Sequence, residues 1–116
     1  MVTEETRLKE KIRSLLREVP DLWFTAHPGS RFGERGVPDF LGCYAGRMFW
    51  IEAKAPDGVV SLLQGRQIRL LQKSGAYGAV AKNIETVQLL LAHIEAAIIQ
   101  EGLRTEHSRK KGGTDA

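Results

Sequence analysis

Asp39, Glu52 and Lys54 are the residues of this sequence whose types and spacing are best suited to chemistry. Two strand-like segments, 38–44 and 47–54, flank a turn at Ala45-Gly46. Pairing outward from that turn sets Tyr44 against Arg47 and, at the far end, Asp39 against Glu52. Directly opposed residues share a face, with Cβ atoms roughly 4.5–5.5 Å apart. Glu52 and Lys54 share that face because strand side chains alternate. The same face carries Leu41, Cys43, Met48 and Trp50, and the other carries Phe40, Tyr44, Phe49 and Ile51. Two apolar faces predict a central hairpin covered on both sides.

Two carboxylates held this close repel one another, and each needs a compensating partner once desolvated. A divalent cation supplies one. Asp and Glu oxygens suit Mg²⁺, which keeps several waters and accepts one or two protein carboxylates. Lys54 beside such an ion could polarise a water or neutralise a phosphate. A glycine-rich basic loop, "AHPGSRFGERG", leads into Asp39. Acid, acid, lysine and basic loop together point to hydrolysis of a phosphodiester. E-x-K by itself would fit a solvated strand end with an ion pair of little worth; the Pro38-Asp39 step and the register with Glu52 carry the sharper reading.

The elements that must position these groups can be read from periodicity. Leu8, Ile12, Leu15, Leu16 and Val19 recur at helical spacing, predicting a helix over 4–18 with Lys9, Lys11, Arg13 and Arg17 turned away. Residues 22–25 form a short strand, 62–74 a second helix ended by Gly75, and 77–82 a further strand. Asn83 caps a third helix over 84–100. The order α-β-β-β-α-β-α makes an α/β fold, a mixed central sheet flanked by helices. Residues 1–100 form the domain, and 101–116 are expected to be a basic, disordered tail without apolar periodicity.

A chain of 116 residues with 42% hydrophobic and 27% charged residues fits one globular domain. No apolar run approaches the ~20 residues of a membrane span. One cysteine, Cys43, allows neither an internal disulfide nor a cysteine metal cluster, so an intracellular, cytoplasmic setting is expected. The net charge of +3 is compatible with a polyanionic partner.

Pro38-Asp39, twelve intervening residues and then Glu52-Ala53-Lys54 resemble the PD-(D/E)xK nuclease signature. Within that superfamily the segments "GVPDFLG" and "IEAKAPDGVVSLLQGRQIRLLQKSGA" look like the virus-type replication–repair nuclease group, VRR-NUC. Ser61-x-x-Gln64, with Gly75 further on, matches the group's pattern after E-x-K. The resemblance covers about residues 5–95. It implies a restriction-endonuclease-like core and a Mg²⁺- or Mn²⁺-dependent DNA endonuclease. Asp39, Glu52 and the Ala53 carbonyl would ligate metal, and Lys54 would position the attacking water. It also implies a virus or prophage source, inside a host cell if viral, and a homodimer acting on branched DNA such as Holliday junctions. A catalytically silent DNA-binding or assembly module of the same fold, a restriction-like enzyme and a tRNA-processing enzyme are the competing roles.

Further residues carry weaker signals. Gln64 completes a capping box with Ser61, while the resemblance places its side chain beside the active site. The resemblance implies that an acid of helix 1 can be brought to the metal, and Glu5, which lies near the apolar stripe, is the better candidate; its position also suits the helix dipole. His27, Ser30, Arg31 and Arg35 could contact DNA phosphates from the loop before Asp39. Trp23 and Trp50 are expected in the core or an interface. The row Leu90, Leu91, Ile94 and Ile98 of helix 3 could serve a dimer or simply face the sheet.

Overall fold

The computed structural model describes residues 2–26 and 35–112. Its elements are α1 (Glu4–Arg17), β1 (Leu22–Ala26), β2 (Phe40–Tyr44), β3 (Arg47–Ala53), α2 (Leu62–Lys73), β4 (Tyr77–Ala81) and α3 (Ile84–Gly112), in the order the sequence predicts. The sheet runs β1-β2-β3-β4, antiparallel through β3, with β4 parallel to β3 after the α2 crossover. The β2–β3 register runs from Tyr44↔Arg47 at the turn to Phe40↔Ile51, as the turn position requires.

The core lies on one face of this sheet. Phe40, Phe49, Ile51, Ala53 and Ala81 meet Leu8, Ile12 and Leu16 of α1 and Val87, Leu90, Leu91 and Ile94 of α3. Helix ends follow local rules. The Thr3 hydroxyl accepts from the Thr6 amide at 3.1 Å to start α1, and Asn83 Oδ1 accepts from the Thr86 amide at 2.9 Å to start α3. Gly75, at φ +92°, closes α2 in a left-handed conformation.

Two expectations are corrected and one is narrowed. The hairpin is not evenly covered: Trp50 is buried under the α2 side, but Met48 is 42% exposed and Cys43 is exposed. The reason is that α2 packs towards β4 and leaves the turn end of that face open. Of the two places expected for the tryptophans, Trp50 takes the buried one, whereas Trp23, opposite Cys43, is 65% exposed, which leaves only the interface alternative for it. The third helix does not stop at residue 100 but continues to Gly112. Gln100, Glu101, Leu103, Arg104 and Glu106 are good helix formers, and an Arg47–Glu101 ion pair ties this stretch to the hairpin turn. Among the described residues, no helix is long and apolar enough to cross a membrane.

Candidate functional site

Asp39 is set in place from both sides. Pro38 before it is fully buried, and Phe40 after it enters the core. Two residues before Pro38, Gly36 adopts φ +82° and presses against the first turn of α2. A Cβ there would lie 2.5 Å from the Leu63 carbonyl carbon and oxygen. Only glycine accepts both the left-handed backbone and that approach. The segment that leads through Asp39 into β2 is thereby fastened to the helix carrying Gln64.

Glu52 stands on β3 with 2% of its surface exposed, the one buried charged residue among those described. Its Oε1 accepts from the Asp39 amide at 3.1 Å, and its Oε2 accepts from Gln64 Nε2 at 2.7 Å. Lys54 Nζ lies 3.3 Å from the same Oε2. Asp39 answers in kind: its Oδ2 accepts from the Ala53 amide at 2.8 Å. Its Oδ1 lies 3.3 Å from Lys9 Nζ. All four carboxylate oxygens are therefore engaged, which is what a site that desolvates two acids needs.

Gln64 both completes the cap and reaches Glu52. Its Oε1 accepts from the Ser61 amide at 2.9 Å, completing the capping box of α2, while its Nε2 faces Glu52. The cap thus fixes the amide in the orientation that donates to the carboxylate.

The electrostatics separate the groups. Burial pushes the Glu52 carboxyl up to about 7 from 4.5, and the Asp39 charge adds to the rise. Lys54 and the hydrogen bonds pull the other way without cancelling it. Burial works against the Lys9 charge, yet Asp39 and Glu5 together raise its pKa.

Asp39, Glu52, Lys54 and Gln64 therefore converge, and the Ala53 amide meets Asp39. Glu5 does not reach the carboxylates; it meets Lys9 at 3.5 Å and touches the pair only through that ammonium. Arg35 is exposed in the turn before Gly36, without a side-chain contact to the carboxylates. His27, Ser30 and Arg31 lie outside the described residues. Lys9 is the site residue that helical periodicity misplaces: it is not turned away. It lies four residues after Glu5 and three before Ile12, on the flank of the buried stripe, where a long side chain can snorkel to the strand ends.

Among the described residues no three His, Cys, Asp or Glu side chains converge on one point. The donors shown at the site are two carboxylates, with the Asp39 side chain 15% exposed. That set suits Mg²⁺ or Mn²⁺, which keep waters and need few protein carboxylates, and does not suit zinc, which takes three or four protein ligands.

No protein-family model matches this sequence. No curated protein matches it either. Among solved structures, one described as a VRR_NUC domain is similar with a TM-score of 0.66 and 22% identity, over 79% of this chain and 98% of that one. The two chains share a fold, and this chain accounts for nearly the whole length of the other.

Proposed function

We propose that this chain is a Mg²⁺- or Mn²⁺-dependent endonuclease of the VRR-NUC type, hydrolysing phosphodiester bonds in DNA. The observation that carries the reading is the buried Glu52, gripped by Asp39, Gln64 and Lys54 at the ends of two strands. A purely structural role would not favour a desolvated carboxylate whose pKa is raised to about 7. Asp39, Glu52 and the Ala53 carbonyl would hold the cation. When bound, the ion supplies a Lewis acid and an acidified water. The chain's own groups do the rest. Lys54 Nζ, 3.3 Å from Glu52, is placed to orient a water or to meet phosphate charge. Gln64 holds the Glu52 carboxylate in one orientation, and Gly36 holds Asp39 beside it.

The preferred substrate in this reading is branched DNA, including four-way junctions, and the working form is a homodimer. A two-fold dimer presents two equivalent sites to the two symmetry-related strands of a junction. Leu90, Leu91 and Ile94 of α3 are not available for a dimer, since they are buried in the core. What supports a dimer instead is the outer row of α3: Leu89, Ile99 and Leu103 are 71%, 64% and 57% exposed. With exposed Ala92 and Ala96 they recur at the three- and four-residue spacing of a helix–helix seam.

The deciding experiment is a cleavage panel of linear, flapped, forked and four-way DNA with Mg²⁺ and with Mn²⁺, alongside light scattering. Preferential cutting of branched DNA by a dimer is expected. Tight DNA binding with no cleavage in either metal would replace the enzyme with a silent binding module. Cleavage of RNA alone would move the chain to a tRNA-processing role.

A further inference from the structure

A groove of about 340 Å³ opens beside the carboxylate site, between the first turns of α1 and α3 and the segment that follows β3. Arg7, Lys11, Lys54 and Lys82 line it, together with Glu4 and Glu85. The acids sit in the first turns of α1 and α3, where they answer the helix dipoles. The cations have no such local explanation. Lys82 Nζ donates to the Pro56 carbonyl at 2.9 Å, a neutral partner that leaves its charge uncompensated. Arg7 and Lys11 have no ion-pair partner within 4.0 Å among the described residues, although Glu4 and Glu85 share their groove. On the same helix Lys9 and Arg13 are both paired. Arg7 and Lys11 are thus cations placed four residues apart along one wall and without an ion-pair partner among the described residues.

The groove is continuous with the chemistry because Lys54 belongs to both. It is also narrow. Its volume is at the low end of that for small-ligand sites, far too little to take a duplex, whose phosphates would have to ride outside it. An extended single strand presents one phosphate at a time and can follow such a channel. We infer that the groove seats the backbone of a single DNA strand next to the phosphate under attack, with Arg7 and Lys11 contacting its phosphates. The inference rests on the nuclease reading for its purpose but not for its test. It would let the protein hold an unpaired or splayed strand at a branch and leave duplex arms to other surfaces.

The test measures binding in EDTA, where no cleavage can occur. Wild type and the double variant Arg7→Ala/Lys11→Ala are titrated with a fluorescent oligothymidylate and with a blunt duplex of equal length, over a range of salt concentrations. Removing one cation that neutralises a single-strand phosphate lowers the slope of log affinity against log salt by about 0.7. The double variant should therefore show a single-strand slope shallower by about 1.4, twice that value, with the duplex slope unchanged. Lys11→Ala alone should show about half that change. Both side chains are exposed, so an unaltered melting midpoint is expected and serves as the folding control. An unchanged single-strand slope overturns the groove assignment. An equal fall for duplex and single strand overturns its restriction to one strand. Failure of wild type to cleave any DNA with Mn²⁺ would instead sink the nuclease reading, and the EDTA titration would still stand.

Discussion

At one end of the β2–β3 hairpin Glu52 meets Lys54 at 3.3 Å, with 3% and 14% of their side chains exposed. At the other end Arg47 pairs with Glu101, with 25% and 55% exposed, and the Tyr44 hydroxyl donates to Glu95 at 2.8 Å. Both ends contain acid–base contacts, and both link the hairpin to a helix. What differs is water. At the turn end solvent screens the charges, and the contacts serve as fastenings worth little individually. At the site end the carboxylates have given up solvent, so each oxygen must be met by a placed donor, and the Glu52 proton affinity rises. Burial, rather than pairing, makes one end a candidate for chemistry.

The sharpest way to break the comparison is to neutralise the site end. Asp39→Asn and Glu52→Gln each keep the side-chain size and remove a carboxylate charge. Each should lower cleavage by at least ~100-fold, since the several kcal/mol supplied by a bound ion would no longer be available. Calorimetry with Mn²⁺ should show binding abolished in both variants, with DNA affinity in EDTA retained. Near-wild-type turnover in either would remove the site.

The raised Glu52 pKa makes a second prediction, on stability without metal. A carboxyl whose pKa rises on folding is penalised once it is charged. Below pH 4.5 both states hold the proton and the penalty is absent; it grows as the pH climbs and is complete above about 7. A rise from 4.5 to about 7 corresponds to a penalty on the order of 3 kcal/mol. In EDTA, Glu52→Gln should therefore become more stable relative to wild type at about pH 8 than at pH 4.5, by up to that amount. Denaturant titrations at the two pH values isolate the effect, because any constant cost of the substitution cancels. A pH-independent difference would show that Glu52 is not strained by burial.

The fold was legible because its determinants are local. The turn at Ala45-Gly46 sets the hairpin register, and Gly75 and Asn83 end and start helices by their own chemistry. The Asp39–Glu52 meeting follows from that register alone. Lys9 was not legible in the same way, because its approach to Asp39 depends on how α1 lies across the strand ends, a tertiary fact. The extent of α3 was hidden for a related reason. Its last turns lack an apolar stripe, and Arg47 of the hairpin, remote in sequence, meets Glu101 there. Gln64 falls between these cases: Ser61-x-x-Gln64 announces the cap, but its bond to Glu52 requires the fold.

Gln64 offers an intermediate effect that sharpens the comparison, because it is an outer support of the buried end. Gln64→Ala removes the donor that orients Glu52 and should cost about 10–100-fold in Mn²⁺ affinity or cleavage. It also breaks the capping box. Ser61→Ala breaks the reciprocal bond of the same box and should cost about 1 kcal/mol of stability. Its effect on metal affinity should be much smaller. Equal falls in metal binding in the two variants would mean that Gln64 acts only through the cap.

The smallest effect is expected at the turn end. Arg47→Ala removes an exposed ion pair with Glu101 and a bond from Nη1 to the Ala45 carbonyl at 3.1 Å. Global stability should fall by no more than about 1 kcal/mol, and the difference should shrink in high salt, where exposed charges are screened. Cleavage and metal affinity should not change, because Arg47 lies at the opposite end of β3 from Glu52. The local consequence should be larger than the global one. Glu101 marks the stretch where α3 continues beyond its buried residues, the last of which is Ile94. An unsupported helix end frays within its final turns. Hydrogen exchange should therefore quicken in residues 101–112 of Arg47→Ala while amides of β3 and α1 keep their protection. Faster exchange throughout the sheet would show instead that the turn-end ion pair holds the core, and the contrast between the two ends of the hairpin would fail.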